Sequence, residues 1–180
     1  RSDDEFDDAG QKAMQEEIES IALKVREHWH LDLAPIKDIQ LILEENGIIV
    51  TGFDTKDGKI DAFSQRTLID DGDVFFVAVA LGEKPKGRIF FDMAHELGHI
   101  LLHPWSESLD LISKDEFKIR ETQANMFASA FLLPRESFLQ EIQAYPSDLN
   151  YYLHLKKRWN CSMQAMMYRA HQLSAITDNQ

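Results

Sequence analysis

The 180-residue sequence predicts an α+β fold: a small, antiparallel-rich sheet packed on helices, followed by a short helical C-terminal segment. Three observations predict it. Apolar residues recur at helical spacing near both ends of the chain, short β-branched and aromatic runs cluster between residues 47 and 82, and a further helical pattern follows those runs at once. At 44% hydrophobic and 28% charged residues the composition is that of a globular chain long enough to close a core.

Ile18, Ile21, Ala22, Val25 and Trp29 fall on one face of a helix expected over Gln11–His30. Pro35 at a helix start and Gly47 just past its end bracket a second helix, with Ile36, Ile39 and Leu43 inward. "GIIVTGF", "KIDAFSQ", "RTLID" and "DVFFVAVALG" are then read as a meander of three or four strands, punctuated by "KDGK" and "DDGD". "GRIFF" (87–91) is read as a further strand leading into a helix. "SKDE" (113–116) is a capping box, with Ser113 as cap and Glu116 reaching back, and it opens the helix "EFKIRETQANMFASAFLLP". Leu149 to Arg158 and Ser162 to Leu173 form two short helices around "WNCS".

Composition also excludes function classes. The longest apolar run, "VFFVAVAL" (74–81), is far short of the roughly 20 residues a bilayer-spanning helix needs, and no export signal opens the sequence. A cytoplasmic location is expected. The single cysteine, Cys161, fits a reducing compartment and removes any cysteine-based metal site. The chain opens at Arg1 on an acidic run, expected to be a disordered lead-in over 1–10; it reads as a piece of a longer polypeptide or as a trimmed terminus. A net charge of −12 speaks against broad nucleic-acid binding. Toward the C-terminus Lys156, Lys157, Arg158 and Arg169 reverse the balance, but four cations are a thin phosphate footprint. Met163, Met166, Met167 and Ala170 are expected to pack a core rather than read DNA.

The chemistry concentrates in "FDMAHELGHILLHP" (91–104). On a helix, His95 and His99 lie on one face a turn apart and can address one metal ion, while Glu96 beside them can take a proton from a water that the ion has acidified. His103 lies eight residues from His95, about 12 Å along the axis, so both cannot reach one ion; it is a bystander or supports a ligand from behind. Gly98 between the ligands admits a second backbone. A third ligand is sought among Glu107, Asp110, Asp115, Glu116, Glu121, Glu136 and Glu141. Glu116 and Asp115 belong to the first turn of their helix, whereas Glu121 stands inside it on a stripe of small residues with Ala124, Asn125 and Ala128. The competing reading pairs Glu121 with Arg120 or Lys118 at the surface.

"AHELGHILLH" followed by "ETQANMFASAFLLP" resembles the ImmA/IrrE family of bacterial and phage metallopeptidases, and the likeness runs through "IDAFS" and "LKKRWNCSMQAMMYRA", from about His28 to Thr177. The resemblance implies a zincin-like metallopeptidase fold over 11–135 with a helix-turn-helix-like subdomain over 136–180. It further implies zinc, or another first-row divalent metal, at His95, His99 and Glu121, and Glu96 as general base. The implied function is a zinc endopeptidase that relieves repression by cutting a helix-turn-helix repressor, fused to or encoded beside a DNA-binding domain; direct nucleic-acid binding is not expected. The alternative is a metal- or ligand-sensing regulatory domain of a longer transcriptional regulator. Phe90 stands where many members carry Arg. For the oxyanion-stabilising group, Tyr151, Tyr152, His154 and His171 stay open.

Overall fold

The computed structural model describes residues 2–54, 60–105 and 111–177. In order they form α1 (Ser2–His28), α2 (Ile39–Glu45), β1 (Ile48–Phe53), β2 (Ala62–Ile69), β3 (Gly72–Ala80), α3 (Lys86–Leu102), α4 (Lys114–Leu132), α5 (Arg135–Ile142), α6 (Leu149–Trp159) and α7 (Met163–Gln172). The fold is α+β with a small three-stranded mixed sheet.

That sheet is not a meander. Its order is β1-β3-β2, with β1 parallel and β2 antiparallel to β3. β3 takes the centre because its Val77, Ala78, Val79 and Ala80 are apolar and buried on both faces, a pattern a sheet edge cannot satisfy. "KIDAFSQ" and "RTLID" are not two strands: no breaker separates Gln65 from Arg66, and β2 runs through both. Ile69 pairs with Gly72 across a two-residue turn in which Asp70 (φ 47°) and Asp71 (φ 62°) are both left-handed, the geometry that suits the twist of a tight hairpin. The "KDGK" punctuation lies outside the described residues.

Three helix boundaries also differ from expectation. α1 takes in the acidic opening, beginning at Ser2 rather than Gln11. α2 begins at Ile39, because Asp38 accepts a hydrogen bond from the Leu41 amide and caps it; Pro35 and Ile36 precede the helix, although Ile36 is buried. "GRIFF" is helix, not strand. Phe90, Met93, Ala94 and Leu97 form one buried stripe at spacings of three, four and seven, so the periodicity of α3 overrides the β-propensity of its first turns. Phe90 lies buried under the Lys86 ammonium, 5.0 Å from the ring centre.

A continuous apolar core joins α1, α3 and α4 to α5, α6 and α7 through Ile18, Leu97, Phe127, Phe138, Trp159 and Met166. Met166 and Ala170 are fully buried, and Met163 and Met167 pack against them as expected. Two buried arginines tie this core to the end of α4. Arg26 donates to the Phe131, Asp32 and Ala34 carbonyls, and burial pushes its guanidinium down to about 10. Arg169 donates to the Leu133 carbonyl and forks onto both oxygens of Glu19. Arg169 is therefore internal, at 1% exposure, and Arg158 pairs with Glu141 at 3.2 Å. Two of the four C-terminal cations are engaged within the fold.

Removing one partner of a buried charge pair strands the other. Arg169→Met should cost about 3–5 kcal/mol, read as a lower urea midpoint, whereas Lys157→Ala should stay within about 0.5 kcal/mol. Equal effects would show that the Arg169–Glu19 fork carries no special weight.

Candidate metal centre

The site is built where α3 and α4 touch. A Cβ placed on Gly98 would meet the Ala124 Cα at 3.1 Å, its carbonyl oxygen at 3.2 Å and the Phe127 Cβ at 3.2 Å. The expected close approach of a second backbone is thus present, and Ala124 supplies the small residue facing it. One turn before Ala124 on the same stripe stands Glu121. Its Oε1 lies 2.9 Å from His99 Nε2 and its Oε2 3.4 Å from His95 Nε2, and the two histidine Nε2 atoms are 3.0 Å apart.

The outer nitrogens set the tautomers. His95 Nδ1 is 2.8 Å from Asn125 Oδ1, which can only accept, so Nδ1 carries the proton and Nε2 presents a lone pair. His103 Nε2 is 3.0 Å from Gln123 Oε1 and must likewise donate. Its Nδ1 then accepts from His99 Nδ1 at 2.8 Å, which leaves a lone pair on His99 Nε2. His103 thus hydrogen-bonds His99 from behind.

Two imidazole lone pairs and a carboxylate facing one another at this range repel unless a cation lies among them. A tetrahedral zinc ion, with bonds of roughly 2.0–2.1 Å, holds its donors roughly 3.3 Å apart. The observed separations of 2.9 to 3.4 Å fit such a donor set. Were the imidazoles protonated instead, their Nε2–H groups would donate to Glu121 and hold its carboxyl well below the usual carboxylate range, so in either state the carboxylate calls for positive charge at this point. Burial alone would lower the His95 imidazole, but Glu121, Glu96 and Asn125 together outweigh it and raise it.

Glu96, 6% exposed, sits beside this set with Oε2 accepting a 2.6 Å hydrogen bond from the Ser64 hydroxyl of β2. Donor atoms of His95, Glu96 and His99 all lie within 4.8 Å of one another. A cleft of about 980 Å³ is lined by His95, Glu96, Glu121 and Asn125, and Phe91, Phe117 and Tyr168 also line it. At its rim Asp61 pairs with Lys84 and with Arg88 (2.7 Å), and Arg88 also reaches the buried Asp92 (3.2 Å). Burial raises the Asp92 carboxyl, with Arg88 and Lys84 opposing.

Other expectations fall differently. Ser113 caps α4 by accepting from the Glu116 amide, but the Glu116 side chain turns forward to Arg120 at 2.8 Å instead of reaching back. The surface alternative for Glu121 loses ground with it, since the carboxylate faces the histidines. Glu141 is taken by Arg158, and Glu107 and Asp110 lie outside the described residues. Tyr151 donates to the Glu141 carbonyl and Tyr152 to the Pro146 carbonyl; neither lines the cleft, nor do His154 and His171. Ser64, Asn125, Gln123 and Tyr168 were not singled out for these roles by sequence reasoning. Asn125 alone had a signal, its place four residues after Glu121.

A His-Glu-Leu-Gly-His helix packed against a second helix that presents a carboxylate to both histidines is the arrangement of a metallopeptidase-like domain. The family model of the IrrE N-terminal-like domain, Peptidase_M78, matches residues 44–171, and the chain belongs to that family. A solved structure described as a Mycobacterium tuberculosis transcriptional regulator shares the fold, with 20% identity and a TM-score of 0.59 over 86% of this chain and 46% of that one. This chain thus spans under half the length of that structure. No curated protein matches it. Among the described residues no helix is long and apolar enough to cross a membrane.

Gly98→Ala forces backbone against backbone and should destabilise the protein by about 1–3 kcal/mol. Gly10, in α1 with open space around it, should instead gain up to about 1 kcal/mol on replacement by Ala. Thermal melting of the two variants checks the contrast.

Proposed function

We propose that the chain is a zinc-dependent endopeptidase whose substrate is a protein, a helix-turn-helix transcriptional repressor, so that cleavage relieves repression in the cytoplasm. The observation that carries this reading is the convergence of His95, His99 and Glu121 on one point, with Glu96 held beside them. Membership of a peptidase family supports it. So does a cleft open enough for a polypeptide, whose exposed Phe117 and Tyr168 offer apolar contact to substrate side chains.

In this reading His95, His99 and Glu121 hold the ion, Asn125 and His103 fix the two imidazoles, and Gln123 fixes His103. When bound, the ion supplies Lewis-acid chemistry, acidifying water and polarising a carbonyl. Glu96 takes the proton of the attacking water and later gives it to the leaving amine. Its burial keeps bulk water from competing for that proton. The α6 and α7 wall, through Lys156 and Tyr168, orients the substrate across from α3. A DNA-reading role for these helices loses support because Arg169 is buried and Arg158 is paired.

The second reading is a regulatory domain without turnover, sensing metal or ligand for a longer regulator. The matched regulator favours it, because more than half of that chain lies beyond the shared domain.

Two experiments test these assignments. Glu121→Gln should weaken metal retention against a chelator by roughly tenfold or more, while Glu116→Gln should not, since its partner is Arg120. The reverse result would mean that a ligand and a helix-capping residue have been exchanged. Second, the purified chain incubated with the repressor encoded nearest its gene should cut it, and a chelator should stop the reaction. Glu96→Gln should keep the metal and the fold yet lose at least about a hundredfold in cleavage rate. Should derepression in cells persist while neither protein cleaves, the sensing domain replaces the peptidase.

A further inference from the structure

The hydrogen bond between Ser64 and Glu96 raises a problem of chemistry. Glu96 is a buried carboxylate whose donor atom lies within 4.8 Å of those of both histidines. A divalent ion held by those histidines attracts every carboxylate within reach. A rotation of the Glu96 side chain would make it a ligand, and a ligating carboxylate is a poor base because its lone pairs are engaged. Something must hold it off.

We infer that Ser64 is a positioning residue that withholds the Glu96 carboxylate from the metal donor set. The inference rests on the metallopeptidase reading above. Ser64 pairs with Val77 of β3, and its hydroxyl reaches Glu96 Oε2 at 2.6 Å, in the short range of hydrogen bonds to a charged acceptor. Among the described residues it is the one side chain that hydrogen-bonds this carboxylate. The bond is anchored in the sheet rather than in α3, so it fixes Glu96 from outside the helix that carries His95 and His99. It also engages one oxygen only, and among the described residues no hydrogen bond takes up Oε1.

The test uses the metal itself. Wild type, Ser64→Ala, Ser64→Thr and Ser64→Ala/Glu96→Gln are loaded with cobalt(II), whose visible bands weaken as coordination number rises, and zinc affinity is measured by chelator competition. Ser64→Ala should bind zinc several-fold more tightly and show weaker cobalt bands, because Glu96 joins the ion. Ser64→Thr, which keeps the hydroxyl, should resemble wild type, and the double variant should lose the added affinity. If Ser64→Ala leaves both readouts unchanged or loosens the metal, or if the double variant keeps the added affinity, the inference is overturned. Thermal melting confirms that each variant is folded. The peptidase reading stands or falls separately, on cleavage by Glu96→Gln.

Discussion

The backbone contact between α3 and α4 at Gly98 and Ala124 is the constraint on which the rest of the structure depends. A glutamate side chain is short, and Glu121 meets His95 and His99 only because the two helices touch with no side chain between them. The approach is locked from the far end of α4. There Arg26 of α1 and Arg169 of α7 hold the Phe131 and Leu133 carbonyls that a helix terminus leaves without internal partners. Desolvating two guanidinium groups is costly, and the cost is offset where several carbonyls and the Glu19 carboxylate surround them. Residues far apart in sequence thus set the distance between a carboxylate and two imidazoles.

Around that point polarity is directed outward in layers. Asn125, His103 and Gln123 take the outer protons, so the inward nitrogens carry lone pairs, and Ser64 takes one oxygen of Glu96. Each contact is a single hydrogen bond of modest net worth in a folded protein. Their value lies in orientation, since a donor set rotated by one tautomer presents a proton where an ion needs a lone pair. The rim cluster of Asp61, Lys84, Arg88 and Asp92 joins the residue before β2 to the start of α3 by charge, tying the sheet to the helix beside the cleft.

The C-terminal helices keep the character that their apolar spacing suggests. Their four cations are a thin footprint for phosphate, and of these Arg169 is a buried strut and Arg158 a partner of Glu141. What α6 and α7 contribute instead is core, through Tyr152, Trp159 and Met166, and one wall of the cleft, through Lys156 and Tyr168. Cys161 at their junction is buried, its thiol pushed up to about 12, and packs against the backbone of Gly87 at the start of α3. That contact sets the C-terminal pair beside the helix that carries the histidines.

By itself the sequence determined what depends on local spacing. The His95, Glu96 and His99 constellation is a property of helical periodicity; Ser113 and Ser162 cap helices by accepting hydrogen bonds from amides three residues on; and Ile39, Leu43, Met166 and Ala170 declare their burial by their recurrence. Glu121 was legible because small residues shared its stripe. Tertiary structure alone decided the rest. Whether β3 lies at the centre or edge of its sheet depends on competition among strands for two buried faces. Whether "GRIFF" is helix or strand depends on where Phe90 is buried, and whether Arg169 meets phosphate or Glu19 depends on a partner 150 residues away. The same holds for Ser64, whose hydroxyl acquires its role only when a strand pairs, a helix packs on it, and a carboxylate 32 residues later comes to lie 2.6 Å away.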